Sequence, residues 1–256
     1  MSIGGNRARQ RGCFYENDSD GIEHSSTEEP GSLTLTAGGP TEASLLDLKQ
    51  ETNKPNQNMS SIAIIYHPTY GHTKLQAEAV HRGARSVSSA SAKLYTVEEA
   101  TTRLDELDAA EAIIFGCPTY MGSMSAGMKA FIETAAKKWF TLAWKDKVAG
   151  AFTNSSSFSG DKLNTLLGLV INAMQHGMIF VGLGMMPSAN RPDEMSTASG
   201  PGPEAHNRVG SFVGPMAASF QVNPPAAPPT GDIETAEAYG RRVAEITSQL
   251  KKGRNG

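Results

Sequence analysis

Three short segments of the chain carry side chains suited to binding a phosphate and a flat polar ring. The first follows the apolar run at 62–66 and holds Thr69, Gly71 and Thr73, with a helical pattern directly after it. A loop between a buried strand and a helix offers backbone N–H groups and the positive end of the helix dipole, and hydroxyls can join them around an anion. This segment therefore predicts a phosphate cradle, with His72 at the helix start as a further member.

The other two segments stand in the same relation to apolar runs further along the chain. Residues 118–122 follow the run at 112–115, and residues 154–159 follow the run at 148–152. Tyr120 offers a flat aromatic wall, and the serine-rich third segment offers hydroxyls and backbone N–H groups. Ligands of open parallel sheets bind beyond the carboxyl ends of the strands, so we expect the three segments to meet there. Together they predict a site for a phosphorylated planar heterocycle such as FMN.

The elements that must position these segments alternate between apolar runs and helical patterns. A weak run at 92–97 and a run at 177–181 complete a set of five strands, and residues 98–110 predict one helical connection. Strands that alternate with helices in this way are typical of parallel sheets with right-handed crossovers. The fold class predicted from the pattern is α/β, a doubly wound five-stranded parallel sheet.

The N-terminal residues 1–58 have a different composition from the rest of the chain. They hold five Lys or Arg against nine Asp or Glu and lack a strong apolar period. Such a segment cannot bury enough apolar surface to offset the entropy of ordering it. We predict that 1–58 is a disordered tail, and Met59 directly before the first strand suggests that the native start lies there. Residues 59–256 then form one domain.

A long segment between the fifth strand and the C-terminal helix is unusually rich in glycine and proline. In residues 182–231, sixteen of fifty positions are Gly or Pro and only five are charged. Long irregular segments inside domains are normally functional or disordered, and the low charge favours order. We predict a folded flap over the site.

Composition excludes several classes of function. No run approaches the roughly 18 apolar residues of a membrane span, and no secretory leader is evident. Cys13 and Cys117 give no disulfide framework, which favours a reducing cytoplasm. The charges of 59–256 sum to +1, without the basic stripe of a nucleic-acid binder, and the six scattered histidines predict no metal site. Small molecules and other subunits are the expected partners.

The motifs TYGHT at 69–73, GCPTYMGSMS at 116–125 and HGM at 176–178, with the closing helix, resemble a known family. They are similar to the WrbA-type NAD(P)H:quinone oxidoreductases of the flavodoxin-like superfamily, and the resemblance covers about residues 60–250. It implies strand order 2-1-3-4-5, noncovalent FMN, hydride uptake from NAD(P)H and two-electron delivery to a quinone in a ping-pong scheme. It also implies a homo-oligomer, a dimer or tetramer.

Carried over by position, the resemblance assigns cofactor binding to the three loops. The implied cofactor residues are Pro68, Thr69, Tyr70, Gly71, His72, Thr73, Pro118, Thr119, Tyr120, Met121, Gly122, Asn154, Ser155, Ser156, Ser157, Phe158 and Ser159. The implied substrate residues are Tyr70, Trp139, Gln175 and His176. Pro68 stands where the family usually has Ser, and Gln175 where it commonly has a ring-facing His. No side chain is assigned a covalent catalytic role, because the flavin performs the chemistry.

Other interpretations of the same residues stay open at this point. His176 is equally well a structural histidine, and Trp139 an ordinary packing or interface residue. For the whole chain, a flavodoxin-type electron carrier is the main alternative, although such carriers are strongly acidic. A flavin-free scaffold protein is the second alternative.

Overall fold

The computed structural model describes residues 59–193 and 198–255, so the predicted disordered tail, 1–58, lies outside the described residues. The strands are β1 (Ser60–Tyr66), β2 (Ala90–Thr96), β3 (Ala112–Tyr120), β4 (Ser123–Met124), β5 (Val148–Ser155), β6 (Ile179–Phe180) and β7 (Met216–Ala218). The helices are α1 (His72–Arg85), α2 (Val97–Thr102), α3 (Leu104–Asp108), α4 (Ala126–Trp139), α5 (Lys162–Gln175) and α6 (Thr230–Asn255), with a 3-10 turn at Ser188–Asn190. No helix in this described part of the chain is long and apolar enough to cross a membrane.

The central sheet has the order β2-β1-β3-β5-β6, and these strands pair in parallel. The predicted α/β, doubly wound architecture is confirmed. The strand order differs from the predicted 2-1-3-4-5 only in detail, because the additional hairpin strand β4 precedes the fourth strand of the parallel path. Two short strands are additional: β4 forms an antiparallel hairpin with β3, and β7 pairs in parallel with the carboxyl end of β5.

The third predicted strand was too short. It extends over nine residues, because Cys117 and Pro118 continue the parallel register with Thr153 and Asn154 of β5. The segment predicted to follow this strand as a loop, 118–122, is therefore the end of β3 and a tight turn at Met121 and Gly122, and the hairpin strand β4 comes directly after it.

The single helix predicted over 98–110 was also wrong. The chain breaks at Arg103, which separates α2 from α3. α2 starts at a capping box, in which the Glu99 amide donates to Thr96 Oγ1 and the Thr96 amide donates to the Glu99 carboxylate. The capping box fixes where α2 begins, and the non-helical backbone of Arg103, with φ −124° and ψ 34°, ends it.

The fifth position of the sheet is divided between two segments. β6 pairs with Val148 and Ala149 at the start of β5, and β7 pairs with Thr153 to Ser155 at its end. Tyr239 of α6 fills the break: its hydroxyl accepts from the Ala151 amide at 3.1 Å and donates to the Val181 carbonyl at 2.6 Å. The intervening residues leave the sheet and return beside the carboxyl end of β5.

Both faces of the sheet are covered by helices. Ile113 and Phe115 belong to one buried cluster with side chains of α2 to α5, and Ile62 and Ile64 belong to another with α1 and α6. α1 and α6 approach closely at Gly83, where an added Cβ would lie 1.8 Å from the Glu237 carbonyl oxygen. The core thus holds the carboxyl ends of β1, β3 and β5 at one edge.

Candidate cofactor site

A cavity of about 530 Å³ lies beyond the carboxyl ends of β1, β3 and β5. Its volume falls in the range of small-molecule sites in proteins. The lining residues come from three strand-to-helix loops and from the returning flap: Thr69, Tyr70, His72, Thr73, Pro118, Thr119, Tyr120, Met121, Gly122, Asn154, Ser155, Ser156, Ser157, Gly160, Ser219, Gln221 and Asn223.

One end of the cavity is formed by the loop before α1. Gly71 adopts φ +95°, which lets the chain turn into the helix, and no side chain caps the helix N-terminus. The first turn of α1 contains no acidic residue. Thr73 is 1% exposed, and its hydroxyl has no hydrogen-bond partner among the described residues. Free amides, the positive dipole end and an unpaired buried hydroxyl suit a phosphate.

His72 connects this end to the flap. Its Nε2 lies 2.7 Å from the Val222 carbonyl oxygen. Since a carbonyl can only accept, this nitrogen is the donor. The side chain therefore fixes the flap beside the cavity as well as lining it.

An aromatic wall closes the side next to the loop after β3. The Tyr120 hydroxyl donates to Thr69 Oγ1 at 2.8 Å, which joins the loops after β1 and β3. Tyr70 meets Tyr120 edge to face, with ring centroids 6.4 Å apart, and is 79% exposed. Met121 is fully exposed at the cavity mouth. Exposed aromatic and thioether surface of this kind can stack on a planar partner.

Several residues around the cavity adopt left-handed backbone conformations, which are unfavourable for residues other than glycine. Thr69, Met121 and Asp161 have φ between 39° and 53°, and Phe220 and Gln221 have φ of 48° and 60°. Such conformations cost free energy and persist only where the surrounding structure enforces them. The loops are therefore held in shape by the fold.

The serine-rich loop forms the other end of the cavity, and a buried lysine lies beneath it. Lys162 is 0% exposed, and its ammonium group donates to Ser155 Oγ at 2.8 Å and to the Ser157 carbonyl. Burial lowers the pKa of Lys162 to about 8. The negative charge of Asp232 raises this pKa, and the positive charge of Arg208 lowers it further. Asn154, also buried, has a side-chain oxygen without a partner in the described structure.

A second polar cluster supports this loop from outside the cavity. Arg208 of the flap forms a buried ion pair with Asp232 of α6, with Nε 2.9 Å from Oδ1, and Asp232 also accepts from the Ala218 amide. Burial raises the pKa of Asp232, while Arg208 opposes the shift. The Arg208 guanidinium lies over the rings of Phe158 and Phe220, at 5.1 and 5.6 Å from their centroids.

Most of the residues expected to hold a cofactor lie together at this cavity. Four of the expected residues do not line it: Pro68, Gly71, Phe158 and Ser159. The Pro68 carbonyl accepts from the Gly71 amide, so these two residues shape the turn before α1. The Phe158 ring packs against that of Phe220. Four lining residues were not predicted individually: Gly160, Ser219, Gln221 and Asn223. The last three belong to the predicted flap, and they reach the cavity because β7 pairs with β5, a contact that no local pattern reveals.

Three of the four predicted substrate residues lie elsewhere in the chain's structure. Trp139, Gln175 and His176 line a separate depression of about 240 Å³ between α4 and the end of α5. His176 is buried, its ring centroid lies 4.5 Å from that of Trp144, and burial lowers its pKa. Within one chain only Tyr70 stands at the cavity, so the substrate roles of the other three stay predictions.

The residues present fit FMN on structural grounds. The unpaired Thr73 hydroxyl beside an uncapped helix N-terminus suits the phosphate, and the unpaired Asn154 oxygen and serine hydroxyls suit the polar parts of the ring system and its side chain. Buried polar atoms without partners are uncommon in folded proteins and call for an explanation. A bound polar ligand supplies one.

Comparison with known proteins agrees with the geometry. The family model for NADPH-dependent FMN reductases matches residues 35–191. Flavodoxin FldP of Pseudomonas aeruginosa is 38% identical over 192 residues, which cover 75% of this chain and 99% of that protein. NAD(P)H dehydrogenase (quinone) of Syntrophobacter fumaroxidans is 31% identical over 216 residues, covering 75% and 98%.

A solved structure shares both sequence and fold with this chain. The crystal structure of a WrbA-like flavodoxin from Agrobacterium tumefaciens has 39% sequence identity and a TM-score of 0.56, covering 74% of this chain and 98% of that one. The family match and the similarity over nearly the full length of these relatives lead to one conclusion. The chain belongs to the NADPH-dependent FMN reductase family and is a WrbA-like, flavodoxin-fold member of this oxidoreductase family.

Proposed function

We propose that this protein is an FMN-dependent NAD(P)H:quinone oxidoreductase that alternates between reduction by NAD(P)H and reoxidation by a quinone. The observation that carries the proposal is the unpaired, buried Thr73 hydroxyl at the uncapped N-terminus of α1, at one end of a cavity that is closed by serine hydroxyls at the other. The relatives named NAD(P)H dehydrogenase (quinone) support the reaction.

Bound FMN supplies the ability to accept a hydride from one partner and deliver two electrons to the next. The residues of the chain bind the FMN and orient it. The first turn of α1 and Thr73 hold the phosphate, and the Tyr120 hydroxyl, bonded to Thr69, keeps the two neighbouring loops together. Neither reaction requires a nucleophile from the protein.

The mouth of the cavity is where the two substrates stack in turn. Tyr70 and Met121 are exposed there, so a flat nicotinamide or quinone can cover them without displacing a packed side chain. Burying these apolar surfaces contributes roughly 25 cal/mol per Å². One open wall used by two planar partners in succession fits a ping-pong order.

The test first measures the visible absorbance spectrum of the protein and then follows that spectrum while NADPH and a quinone are added without oxygen. Purified full-length protein, or protein given FMN, is expected to show flavin bands that NADPH bleaches and a quinone restores. Protein that holds FMN but does not bleach with NADPH or NADH would contradict the proposed reaction. Protein that takes up no FMN would contradict the cofactor as well.

A second candidate function is supported by the 38% identity to flavodoxin FldP. A flavodoxin-type carrier passes single electrons to protein partners, and it requires two well-separated one-electron midpoint potentials. The charge of 59–256, which sums to +1, gives weak steering toward a charged partner. Potentiometric titration of the FMN-loaded protein distinguishes the two functions, since a single two-electron step favours the reductase.

We also propose that a second copy of the chain covers the outer face of α5. Leu163, Leu167, Ile171 and Met174 are all exposed there at spacings of four, four and three residues. An exposed apolar stripe of this kind is typical of an interface. Light scattering after size exclusion is expected to give a dimer or tetramer, and Ile171→Glu is expected to lower the mass. The cytoplasmic location stays a prediction.

A further inference from the structure

Lys162 is a buried cation without a charged partner in direct contact. It is the first residue of α5, it is 0% exposed, and it forms no ion pair within the described residues. Its ammonium group donates to two neutral acceptors, Ser155 Oγ and the Ser157 carbonyl. Burying an ammonium group without a counter-charge is costly.

The surroundings of Lys162 increase this cost. The amino end of a helix carries the positive end of its dipole, so the position at the start of α5 disfavours a cation. Arg208 adds a repulsive charge, and Asp232 attracts Lys162 but is already bonded by Arg208 and by the Ala218 amide. Lys162 is therefore the member of this buried cluster whose charge has no ion-pair partner.

Both acceptors of Lys162 line the cavity. Ser155 and Ser157 contribute to its wall, and Lys162 lies directly behind them. Ser155 Oγ accepts from the ammonium group, and its own hydroxyl donates to the Ser157 carbonyl, with 3.2 Å between the two oxygens. A ligand at this wall thus meets a hydroxyl polarised by a buried charge.

The proposed reaction creates the matching negative charge. Transfer of a hydride, two electrons and one proton, from NAD(P)H leaves NAD(P)⁺ and adds one negative charge to the ring system. Passing the hydride equivalent to a quinone, which takes a further proton from water, gives the hydroquinone and removes that charge. The cavity therefore alternates between a neutral and a negatively charged ring.

We propose that the Lys162 ammonium group, acting through Ser155 and Ser157, is the counter-charge for the reduced ring, so that the cavity binds reduced FMN more tightly than oxidised FMN. This inference rests on the proposed function, since it requires FMN in the cavity. Lys162 is a positioning and electrostatic residue here, because it acts through the serine loop. Charge near the ring is one of the means by which proteins tune flavin chemistry.

The test measures the dissociation constant of oxidised FMN and the two-electron midpoint potential of bound FMN in the full-length protein at pH 7. The difference between the midpoint potentials of bound and free FMN gives the ratio of affinities for the reduced and oxidised forms, and the dissociation constant then gives each affinity. In Lys162→Met we expect this ratio to fall about tenfold, which equals a drop of about 30 mV in the midpoint potential. Lys162→Arg, which keeps the charge, is expected to retain most of the wild-type ratio.

Lys147→Met is the matched control. Lys147 also donates to two neutral acceptors, the carbonyls of Asp108 and Ala110, and burial lowers its pKa, but it lies at the opposite end of β5. Its loss is expected to leave the affinity ratio unchanged. A purely structural role of Lys162 would weaken both forms of FMN equally in Lys162→Met and leave the midpoint potential unchanged, which would overturn the inference.

Ser155→Ala keeps the test decisive if Lys162→Met does not fold. This variant retains the lysine and removes the polarised hydroxyl, and we expect the ratio to fall about threefold, or about 15 mV. An unchanged ratio in Ser155→Ala would then overturn the inference. If the wild-type protein binds FMN and the variants keep the wild-type affinity ratio, this inference alone is contradicted. If the wild-type protein binds no FMN, the proposed function and the inference are overturned together.

Discussion

The two ends of the cavity store unfavourable free energy in different forms. At the α1 end, the buried Thr73 hydroxyl lacks a partner, and the helix N-terminus has no side-chain cap and no acidic residue in its first turn. At the α5 end, a buried lysine charge meets only neutral acceptors. An unpaired hydroxyl favours an anion that is always present on the ligand, while a buried cation favours a charge that appears only on reduction. The α1 end is therefore expected to anchor the ligand, and the α5 end to tune its reduction potential.

The largest expected effect comes from the charged end and concerns the ligand-free protein. Because burial lowers the pKa of Lys162 from 10.5 to about 8, the unfolded chain holds more protons than the folded one between these values. The free energy of unfolding should therefore rise with pH across this range, by about 2 to 3 kcal/mol for this group. Urea denaturation at pH 7.5 and pH 10.5 measures the change.

Lys162→Met serves as the reference for that measurement. Asp232 and Arg208, the charged groups that face Lys162, remain in this variant, so subtracting its pH dependence isolates the lysine. The stability of the wild type relative to Lys162→Met should therefore rise with pH. If the difference in unfolding free energy between wild type and variant stays constant with pH, burying the charged form of Lys162 costs no free energy.

The next effect belongs to the α1 end of the cavity. Thr73→Val removes the hydroxyl but keeps the shape, and a hydrogen bond to a charged phosphate contributes about 2 kcal/mol. We expect FMN to bind roughly 30-fold more weakly, while the ligand-free protein loses no stability because this hydroxyl has no partner in it. Fluorescence titration and urea denaturation measure the two quantities.

Thr247→Val is the matched control for Thr73→Val. Thr247 is also buried, but its hydroxyl donates to the Val243 carbonyl at 2.7 Å within α6. Its replacement should lower stability by about 1 kcal/mol and leave FMN affinity unchanged. If Thr73→Val instead lowered stability without weakening FMN binding, the anchoring role would fail.

A smaller effect is expected where the aromatic wall joins two loops. Tyr120→Phe removes the 2.8 Å bond to Thr69, and we expect FMN affinity to fall by about 1 kcal/mol, roughly fivefold. Tyr95 lies on β2, and its hydroxyl donates to Glu106 of α3 at 2.9 Å; Tyr95→Phe is the control and should not alter FMN binding. Equal affinity in wild type and Tyr120→Phe would show that the loops hold their shape without this bond.

The smallest expected effect lies outside the cavity. Trp139 lines the separate depression beside Gln175 and His176, so Trp139→Ala should change FMN affinity by less than about twofold. Isothermal titration provides the measurement. A large loss of FMN binding would mean that the two cavities are brought together in the assembled protein, and it would restore the predicted role of Trp139 at the site.

The sequence by itself determined the architecture and most of the cavity. Runs such as 62–66 and 112–115 are strongly apolar and short, and each is followed by a turn and a helical pattern, so their type and order follow from local periodicity. Parallel pairing then requires the loops after them to share one edge of the sheet. For this reason the sequence alone assigns Thr69, Thr73 and Tyr120 to one site.

Only the tertiary structure decided the features that depend on contacts between distant segments. The break in the fifth strand position, bridged by Tyr239, brings β7 and with it Ser219, Gln221 and Asn223 to the cavity. The burial of Lys162 likewise depends on the flap and α6 packing around a helix start that the sequence alone presents as polar surface. Local patterns report the period of burial along one element, whereas the charge at this site results from several elements that meet in space.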